Sequence, residues 1–193
     1  MAIVNTATAG ITWSMVQGFC RDDNYFYGFD SSYSTHVDGL YKYDLNNNLI
    51  ASNLSPFSEL PSDTWRFSDG CVKDGIIYSL IHSVEASPTL ETRHLTKYDA
   101  TTLDFISTVD ITSTGAGGAG CGFAPNGNLL FVDFSQTLND VLAKTIVELT
   151  TSGVYVESHI LSDYIYGAQG ITYDEDREVY YISSHDTVNN NEE

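Results

Sequence analysis

The sequence predicts an all-β fold of repeated four-stranded units, and three observations support this prediction. A short glycine-containing phrase occurs four times, each copy leads through a polar turn into an aromatic strand, and no segment has helical periodicity. The copies recur roughly every fifty residues, a period typical of repeat architectures whose units bury their apolar faces against their neighbours. The four copies are Gln17–Cys20, Asp69–Val72, Gly120–Phe123 and Gln169–Thr172.

Each copy extends into a unit of short strands separated by turn-forming residues. The first unit has predicted strands at 17–21, 25–30, 39–44 and 49–53. The second has strands at 70–73, 75–82, 94–99 and 105–111, and the third at 121–124, 128–135, 145–149 and 154–161. The fourth unit begins with strands at 170–173 and 178–184 and then stops.

Four-stranded units of this length are typical of β-propeller blades. We therefore predict one domain, 1–193, with blades at approximately 17–55, 69–112 and 120–162 and a partial fourth blade at 169–193. Residues 2–7 are predicted to form a further N-terminal strand with no blade of its own. Such a strand is suited to closing a ring as the outermost strand of the last blade.

The charge of the chain excludes two classes of partner. With 26 acidic residues against 8 Lys and Arg, the net charge is −18, which repels phosphate backbones and anionic membranes. No apolar run approaches the roughly 18–20 residues of a membrane span, and no signal peptide is visible at Met1–Thr6. The compartment stays open, with an extracellular or surface location favoured.

The three cysteines, Cys20, Cys71 and Cys121, all lie in the recurring first strand. Neighbouring first strands are expected to hold them beyond the roughly 7 Å Cα separation that a disulfide tolerates. We therefore expect small buried thiols. Metal binding and redox chemistry are the alternatives.

Two phrases of the repeat carry a family resemblance. Gly170–Asp176 and Gly122–Asp133 have a Gly-hydrophobic-small-hydrophobic strand, a polar turn and an aromatic or apolar strand. In this the chain resembles the NHL/YVTN/SMP-30 group of β-propellers over roughly Gln17 to Ser184. The resemblance implies the architecture and leaves the activity open, because the group contains many unrelated functions.

The enzymes of that group provide a comparison for the metal ligands. SMP-30-like lactonases begin the first blade with a metal-binding glutamate in a Glu-Gly-Pro phrase, where this chain has Gln17-Gly18-Phe19. A later ligand asparagine is replaced by the Gly120-Cys121-Gly122 phrase. Because Ca²⁺ needs several oxygen ligands, two missing ligands count against this activity.

Metal-ligand candidates remain in the loops that a propeller would gather on one face. They are Asp30, His82, His185 and Asp186. The histidines lack the i, i+2 or i, i+4 spacing that would indicate a metal site, so solvated loop residues are the preferred interpretation. The prediction is no cofactor, with Ca²⁺ as the alternative.

We interpret the chain as a non-catalytic module for protein binding or self-assembly, and as an enzyme only in the alternative reading. Its partners are other copies of itself or another protein, bound at the open edge of the unfinished blade. The alternative is a calcium-dependent lactonase-like hydrolase or a small-molecule-binding propeller, and the chain is also compatible with the front part of a five- or six-bladed ring. The residues assigned to assembly are Ala2, Ile3, Val4, Asn5, Thr6, Val179, Tyr180 and Tyr181.

Deleting Met1–Ala7 is expected to abolish association of the chain, because the deletion removes the strand available for completing a blade. Sedimentation velocity of the full and truncated chains at equal concentration measures this. A truncated chain that assembles as well as the full chain contradicts the assignment.

Overall fold

The computed structural model of the protein describes residues 16–31, 38–60, 65–83, 92–133, 144–165 and 167–184. These residues form fourteen strands and one short 3-10 turn, Thr112–Thr114. The all-β prediction is confirmed for this part of the chain, and no described helix is long and apolar enough to span a membrane.

The strands form four antiparallel sheets, three with four strands and one with two. Sheet 1 contains β1 (Val16–Arg21), β2 (Tyr25–Ser31), β3 (Asp38–Asp44) and β4 (Leu49–Asn53). Sheet 2 contains β5 (Trp65–Lys73), β6 (Ile76–Ser83), β7 (Arg93–Asp99) and β8 (Phe105–Asp110). Sheet 3 contains β9 (Gly120–Phe123), β10 (Leu129–Val132), β11 (Thr145–Leu149) and β12 (Tyr155–Ile160), and sheet 4 contains β13 (Ala168–Asp174) and β14 (Val179–Ser184). Each sheet follows chain order, an arrangement consistent with propeller blades.

The largest boundary difference is at β5, which begins at Trp65 instead of the predicted residue 70. Its pairing with β6 contains a bulge between Phe67 and Asp69, which divides the strand into two segments. The sequence pattern predicted only the second segment, because the bulge interrupts the alternation on which the prediction rested.

Tight turns fix the register of the sheets. Asp74 and Gly75 both have positive φ, as a type I′ hairpin requires, and they join β5 to β6. Between the third and fourth strands of sheets 1 and 2, Asp44 and Asp99 accept backbone N–H groups with their Oδ1 atoms at 2.7–2.9 Å. These side chains stabilise the turns as Asx motifs do.

The core consists of three apolar clusters, one between each pair of consecutive sheets. Tyr27 and Phe29 of sheet 1 pack against Phe67 and Ile77 of sheet 2. Leu80 of sheet 2 contacts the cluster shared with sheet 3, whereas Ile77 and Ile81 of the same strand contact sheet 1. Sheet 2 is therefore covered on both faces, which explains the almost continuous apolar sequence of β6.

Hydrogen bonds between sheets supplement the apolar packing. In sheet 1, Lys42 Nζ donates to the carbonyl of Ala100 in the turn of sheet 2 at 2.8 Å, and the Tyr27 hydroxyl lies 3.2 Å from the same oxygen. Asn53, the first residue of an Asn-Leu-Ser sequence that has the form of a glycosylation sequon, donates its Nδ2 to the Leu103 carbonyl at 2.9 Å. The atom that a glycan would modify is thus used to join sheets 1 and 2.

Replacing Phe67 with Ala should lower the free energy of unfolding by about 3–5 kcal/mol, because its fully buried ring contacts the Phe29, Phe57 and Tyr98 rings. Urea denaturation followed by tryptophan fluorescence measures the loss. The exposed Leu54→Ala variant is the control and should change the value by less than about 0.5 kcal/mol. Equal losses in both variants would contradict the placement of the core.

Candidate functional site

The first strands of the four sheets lie next to one another, with β1 beside β5, β5 beside β9, and β9 beside β13. In three of them the ladder is interrupted by a bulged residue, namely Gln17, Ser68 and Gln169. The residue after the bulge is Gly18 in β1, Asp69 in β5 and Gly170 in β13.

The strand pairing corrects the alignment of the repeated phrase by one residue in two of its copies. Ser68 corresponds to Gln17, whereas the sequence comparison had matched Asp69 to it. In sheet 3 the pairing places Gly120 at the position of Gly18, and the sequence comparison had matched Gly120 to Gln17. The error arose because the glycine of the second copy, Gly70, follows an aspartate that occupies the usual glycine position.

Asp69 fills the space that two glycines, Gly18 and Gly170, leave between the first strands. A Cβ atom on Gly18 would lie 2.5 Å from Asp69 Oδ1, and one on Gly170 would lie 4.0 Å from Asp69 Oδ2. The backbone N–H of Cys121 donates to Asp69 Oδ2 at 3.1 Å. One carboxylate therefore contacts or approaches the first strands of the other three sheets.

Burial controls the protonation of this carboxylate. Only 8% of Asp69 is exposed, and removal from water raises its pKa to about 7, although hydrogen bonds from the Cys121 and Gly70 backbones act in the opposite direction. Asp69 was identified from the sequence only as the first residue of a repeat copy and was not selected as a site residue. The signal available was the single aspartate among glycines at one repeat position.

Two of the three cysteines have their side chains in contact. Cys71 and Cys121 are buried, and their Sγ atoms are 3.2 Å apart. Cys20, in the adjacent strand β1, is a third free thiol. The expectation of buried thiols is confirmed for Cys71 and Cys121, and their side chains are in contact, whereas the expected Cα separation stays a prediction.

The structure describes only two of the four predicted metal ligands, Asp30 and His82, so the set of four stays a prediction. Asp30 is buried at the end of β2, where burial and then the nearby Asp38 raise its pKa. His82, in sheet 2, has its Nδ1 atom 2.8 Å from the Ser68 hydroxyl. His185 and Asp186 lie outside the described residues, as do Ala2, Ile3, Val4, Asn5 and Thr6.

A different group of potential ligands lies on sheet 3. Glu148, Glu157 and His159 have ligand atoms within 4.8 Å of one another, and neither Asp30 nor His82 belongs to such a group in the part of the chain described. Glu148 stands where sheets 1 and 2 have Lys42 and Lys97, as the pairing of each third strand with its neighbours shows. This charge reversal can be read from the sequence when the third strands of the repeat are aligned.

The buried Glu148 carboxylate has a hydrogen-bond partner at each of its two oxygen atoms. Its Oε1 atom accepts from the Asn126 and Asn128 amides at 2.9 and 2.6 Å, and its Oε2 atom lies 2.9 Å from His159 Nε2. Burial acts to raise the pKa of Glu148, but these hydrogen bonds outweigh it and leave the pKa below its ordinary value. Glu148 therefore joins β11, β12 and the turn before β10 through hydrogen bonds with Asn126, Asn128 and His159.

The outer strand of sheet 4 exposes its apolar side chains. Val179, Tyr180 and Tyr181 are 40%, 44% and 48% exposed, respectively. Tyr181 pairs with Thr172 as Tyr27 pairs with Cys20 and Tyr78 with Cys71, so these three tyrosines occupy one repeat position. Tyr27 and Tyr78 are only 1% and 7% exposed, because the next sheet covers them.

The opposite end of the row of sheets has a matching exposed face. Phe19 of β1 is 65% exposed, whereas Cys121 and Ile171 at the same repeat position are buried against the preceding sheet. Sheet 1 thus exposes the face that packs against the preceding sheet in sheets 2, 3 and 4. Sheet 4 exposes the face that packs against the following sheet in sheets 1, 2 and 3. In the described residues the apolar clusters join only consecutive sheets.

Comparison with known proteins finds a similar solved structure but no matching family model or curated protein. No family model matches the chain, and no curated protein matches it. The chain is similar to a solved structure described as "Complex of KlAtg21 with coiled-coil of AgAtg16", at 9% sequence identity and a TM-score of 0.48. The similarity covers 86% of this chain and 48% of the other, so this chain spans about half the length of that one. The resemblance to the NHL/YVTN/SMP-30 group stays a prediction from the sequence.

The stability of the protein should fall as the pH rises from about 4 to about 7, in a manner that depends on Asp69. Its pKa is about 7 in the folded chain and about 3.9 when unfolded, so the folded state holds more protons in that window. The isosteric Asp69→Asn variant lacks this titration. It should gain stability relative to the parent chain across this range, by up to roughly 1.4 kcal/mol per pH unit.

Urea midpoints of both chains at pH 5, 6, 7 and 8 measure the difference. The exposed turn variant Asp23→Asn serves as a control and should follow the parent profile. Parallel profiles for the Asp69→Asn and parent chains would show that Asp69 is ionised throughout.

Proposed function

We propose that the chain is a non-catalytic β-propeller module that assembles head to tail, with sheet 4 of one copy packed against sheet 1 of the next. The observation that carries this proposal is the exposure of Tyr181 on sheet 4, at a position where Tyr27 and Tyr78 are buried by the following sheet. A second copy can supply the covering sheet.

The contacts of the buried tyrosines indicate what Tyr181 would contact. The Tyr27 hydroxyl approaches the Ala100 carbonyl in the turn between the third and fourth strands of sheet 2. Tyr78 also forms a hydrogen bond to the corresponding turn of sheet 3, where its partner is the Thr151 side chain. In the second copy the equivalent turn of sheet 1 lies between β3 and β4 and begins at Asp44.

The apolar character of both end faces supports association of copies. Val179 and Tyr181 on sheet 4 and Phe19 on sheet 1 expose apolar surface, and burial of such surface stabilises an interface by roughly 25 cal/mol per Å². The same type of interface already joins sheets 1 to 2, 2 to 3 and 3 to 4 within the chain. The proposed contact extends that packing across two molecules.

The distribution of charge favours the N-terminal side of the second copy as the part that binds to sheet 4 of the first. The chain carries a net charge of −18, yet Met1–Cys20 contains no charged residue. When β1 of the second copy lies against sheet 4, its residues 2–6 are within reach of β14, since a ten-residue segment can span roughly 33 Å. An uncharged strand can add to the β14 edge without repulsion from the acidic surface.

A head-to-tail contact is heterologous, so it either closes a ring or continues as a filament. Two copies would bring together eight sheets of the kind described, twice the four formed by the described residues of one copy, and propellers commonly contain 4–8 blades. Because each copy is acidic, salt should promote the assembly by screening the repulsion.

Tyr181→Asp and Phe19→Asp should each abolish the association, because each places a charge in one half of the proposed interface. Sedimentation velocity at several concentrations and at low and high salt measures the assembly. Ile106→Asp is the matched control, because Ile106 is 48% exposed, as Tyr181 is, but lies on β8 in sheet 2. This control should assemble like the parent chain.

Mixing the two disabled variants gives a sharper result. The Tyr181→Asp chain keeps an intact sheet 1, and the Phe19→Asp chain keeps an intact sheet 4, so the mixture should form a heterodimer and grow no further. A parent chain that stays monomeric at every concentration and salt level would contradict the proposal. Assembly that survives both substitutions would contradict it equally.

A further inference from the structure

We infer that Cys71 and Cys121 are a cross-linking pair, which forms a disulfide between sheets 2 and 3 when the chain folds in the presence of a small-molecule disulfide such as oxidised glutathione. Their Sγ atoms are 3.2 Å apart in the thiol form. A disulfide bond is about 2.05 Å long, so the two sulfur atoms need to approach by only about 1.2 Å.

The two cysteines are held in place by rigid surroundings. Cys71 pairs with Tyr78 in the ladder of β5 and β6, and Cys121 pairs with Phe131 in the ladder of β9 and β10. The Cys121 N–H is further anchored by Asp69 Oδ2 at 3.1 Å. Both side chains contribute to the apolar cluster that joins sheets 2 and 3, so the pair meets wherever those sheets pack correctly.

The chemistry requires two exchange steps. The thiolate of one cysteine attacks oxidised glutathione, forms a mixed disulfide and releases one glutathione thiolate. The thiolate of the other cysteine then attacks the protein sulfur of that mixed disulfide and releases the second glutathione. In total, two protein thiols lose two protons and two electrons, and one glutathione disulfide becomes two glutathione molecules.

Burial determines when these steps take place. In the folded chain Cys71 and Cys121 are 7% and 3% exposed, and burial raises the pKa of the Cys71 thiol well above its usual range, so thiolate is scarce and the bulky oxidant is excluded. The exchange therefore belongs to a late stage of folding, when sheets 2 and 3 bring the two cysteines together but do not yet exclude the oxidant. Once formed, the bond is protected from reductants by the same packing.

The third cysteine has a different role in this scheme. Cys20 is a free thiol on β1 and packs against the cluster between sheets 1 and 2, whereas Cys71 and Cys121 belong to the cluster between sheets 2 and 3. It therefore stays reduced, and Cys20→Ser provides a matched control that removes one thiol without removing the pair.

The test is to unfold the full chain, refold it in a glutathione redox buffer, and count free thiols under denaturing conditions together with the intact mass. The parent chain should fall from three thiols to one and lose two hydrogen atoms, and Cys20→Ser should fall from two thiols to none. Cys71→Ser and Cys121→Ser should each retain two thiols. Circular dichroism confirms that every variant has refolded.

The cross-link should also raise the melting temperature of the oxidised parent chain by roughly 10 °C, because it closes a loop of about fifty residues in the unfolded state. Cys20→Ser should show the same rise on oxidation, and Cys71→Ser should show none. Three free thiols in the refolded parent chain would overturn the inference. A bond that disappears in Cys20→Ser would overturn it as well, because Cys20 would then be one of its partners.

Discussion

The structure depends on the packing of consecutive sheets against one another, since no sheet has a core of its own. Ile77 and Tyr78 are adjacent in β6, yet one side chain enters the cluster with sheet 1 and the other enters the cluster with sheet 3. A strand that is covered on both faces needs two neighbouring sheets. Sheets 2 and 3 have both neighbours among the described residues, whereas sheets 1 and 4 have one each, and the apolar exposure of Phe19 and Tyr181 follows from that difference.

The same constraint explains why glycine recurs in the first strands. These strands approach so closely that a Cβ on Gly120 would lie 2.6 Å from the Cα of Gly170. Only one sheet can place a side chain at this position, and Asp69 occupies the space that the glycines leave. The carboxyl group loses its hydration, which is unfavourable, and accepts a hydrogen bond from the Cys121 backbone of the next sheet, which is favourable. The contact between Cys71 and Cys121 results from the same close approach of β5 and β9.

The functional proposal and the inferred disulfide concern different parts of the molecule. Head-to-tail assembly uses the end faces of sheets 1 and 4, where packing is unfinished. The disulfide belongs to the interface between sheets 2 and 3, where packing is complete. The two features nevertheless share one physical origin, because each depends on how the face of one sheet fits the next. A cross-link between the inner sheets would stiffen the row of sheets whose ends are proposed to associate.

The sequence by itself determined the strands and their grouping. Alternating and continuous apolar runs bounded by Asp, Asn and Gly located all four strands of sheet 1 to within a residue at each end, because turn chemistry and strand periodicity are local. The open edge at Val179, Tyr180 and Tyr181 stays a prediction, because residues 185–193 lie outside the described residues, although the three side chains are exposed. Only the tertiary structure decided which residues meet across sheets. The bulge at Ser68 shifts the register by one residue, and Asp69 thereby takes the position that glycine has in the other first strands, as a buried carboxyl group. The contact between Cys71 and Cys121 likewise joins two sheets. A shift of one residue exchanges the two faces of a strand, and the local sequence does not record it, because the bulge is stabilised by contacts with residues distant in the chain.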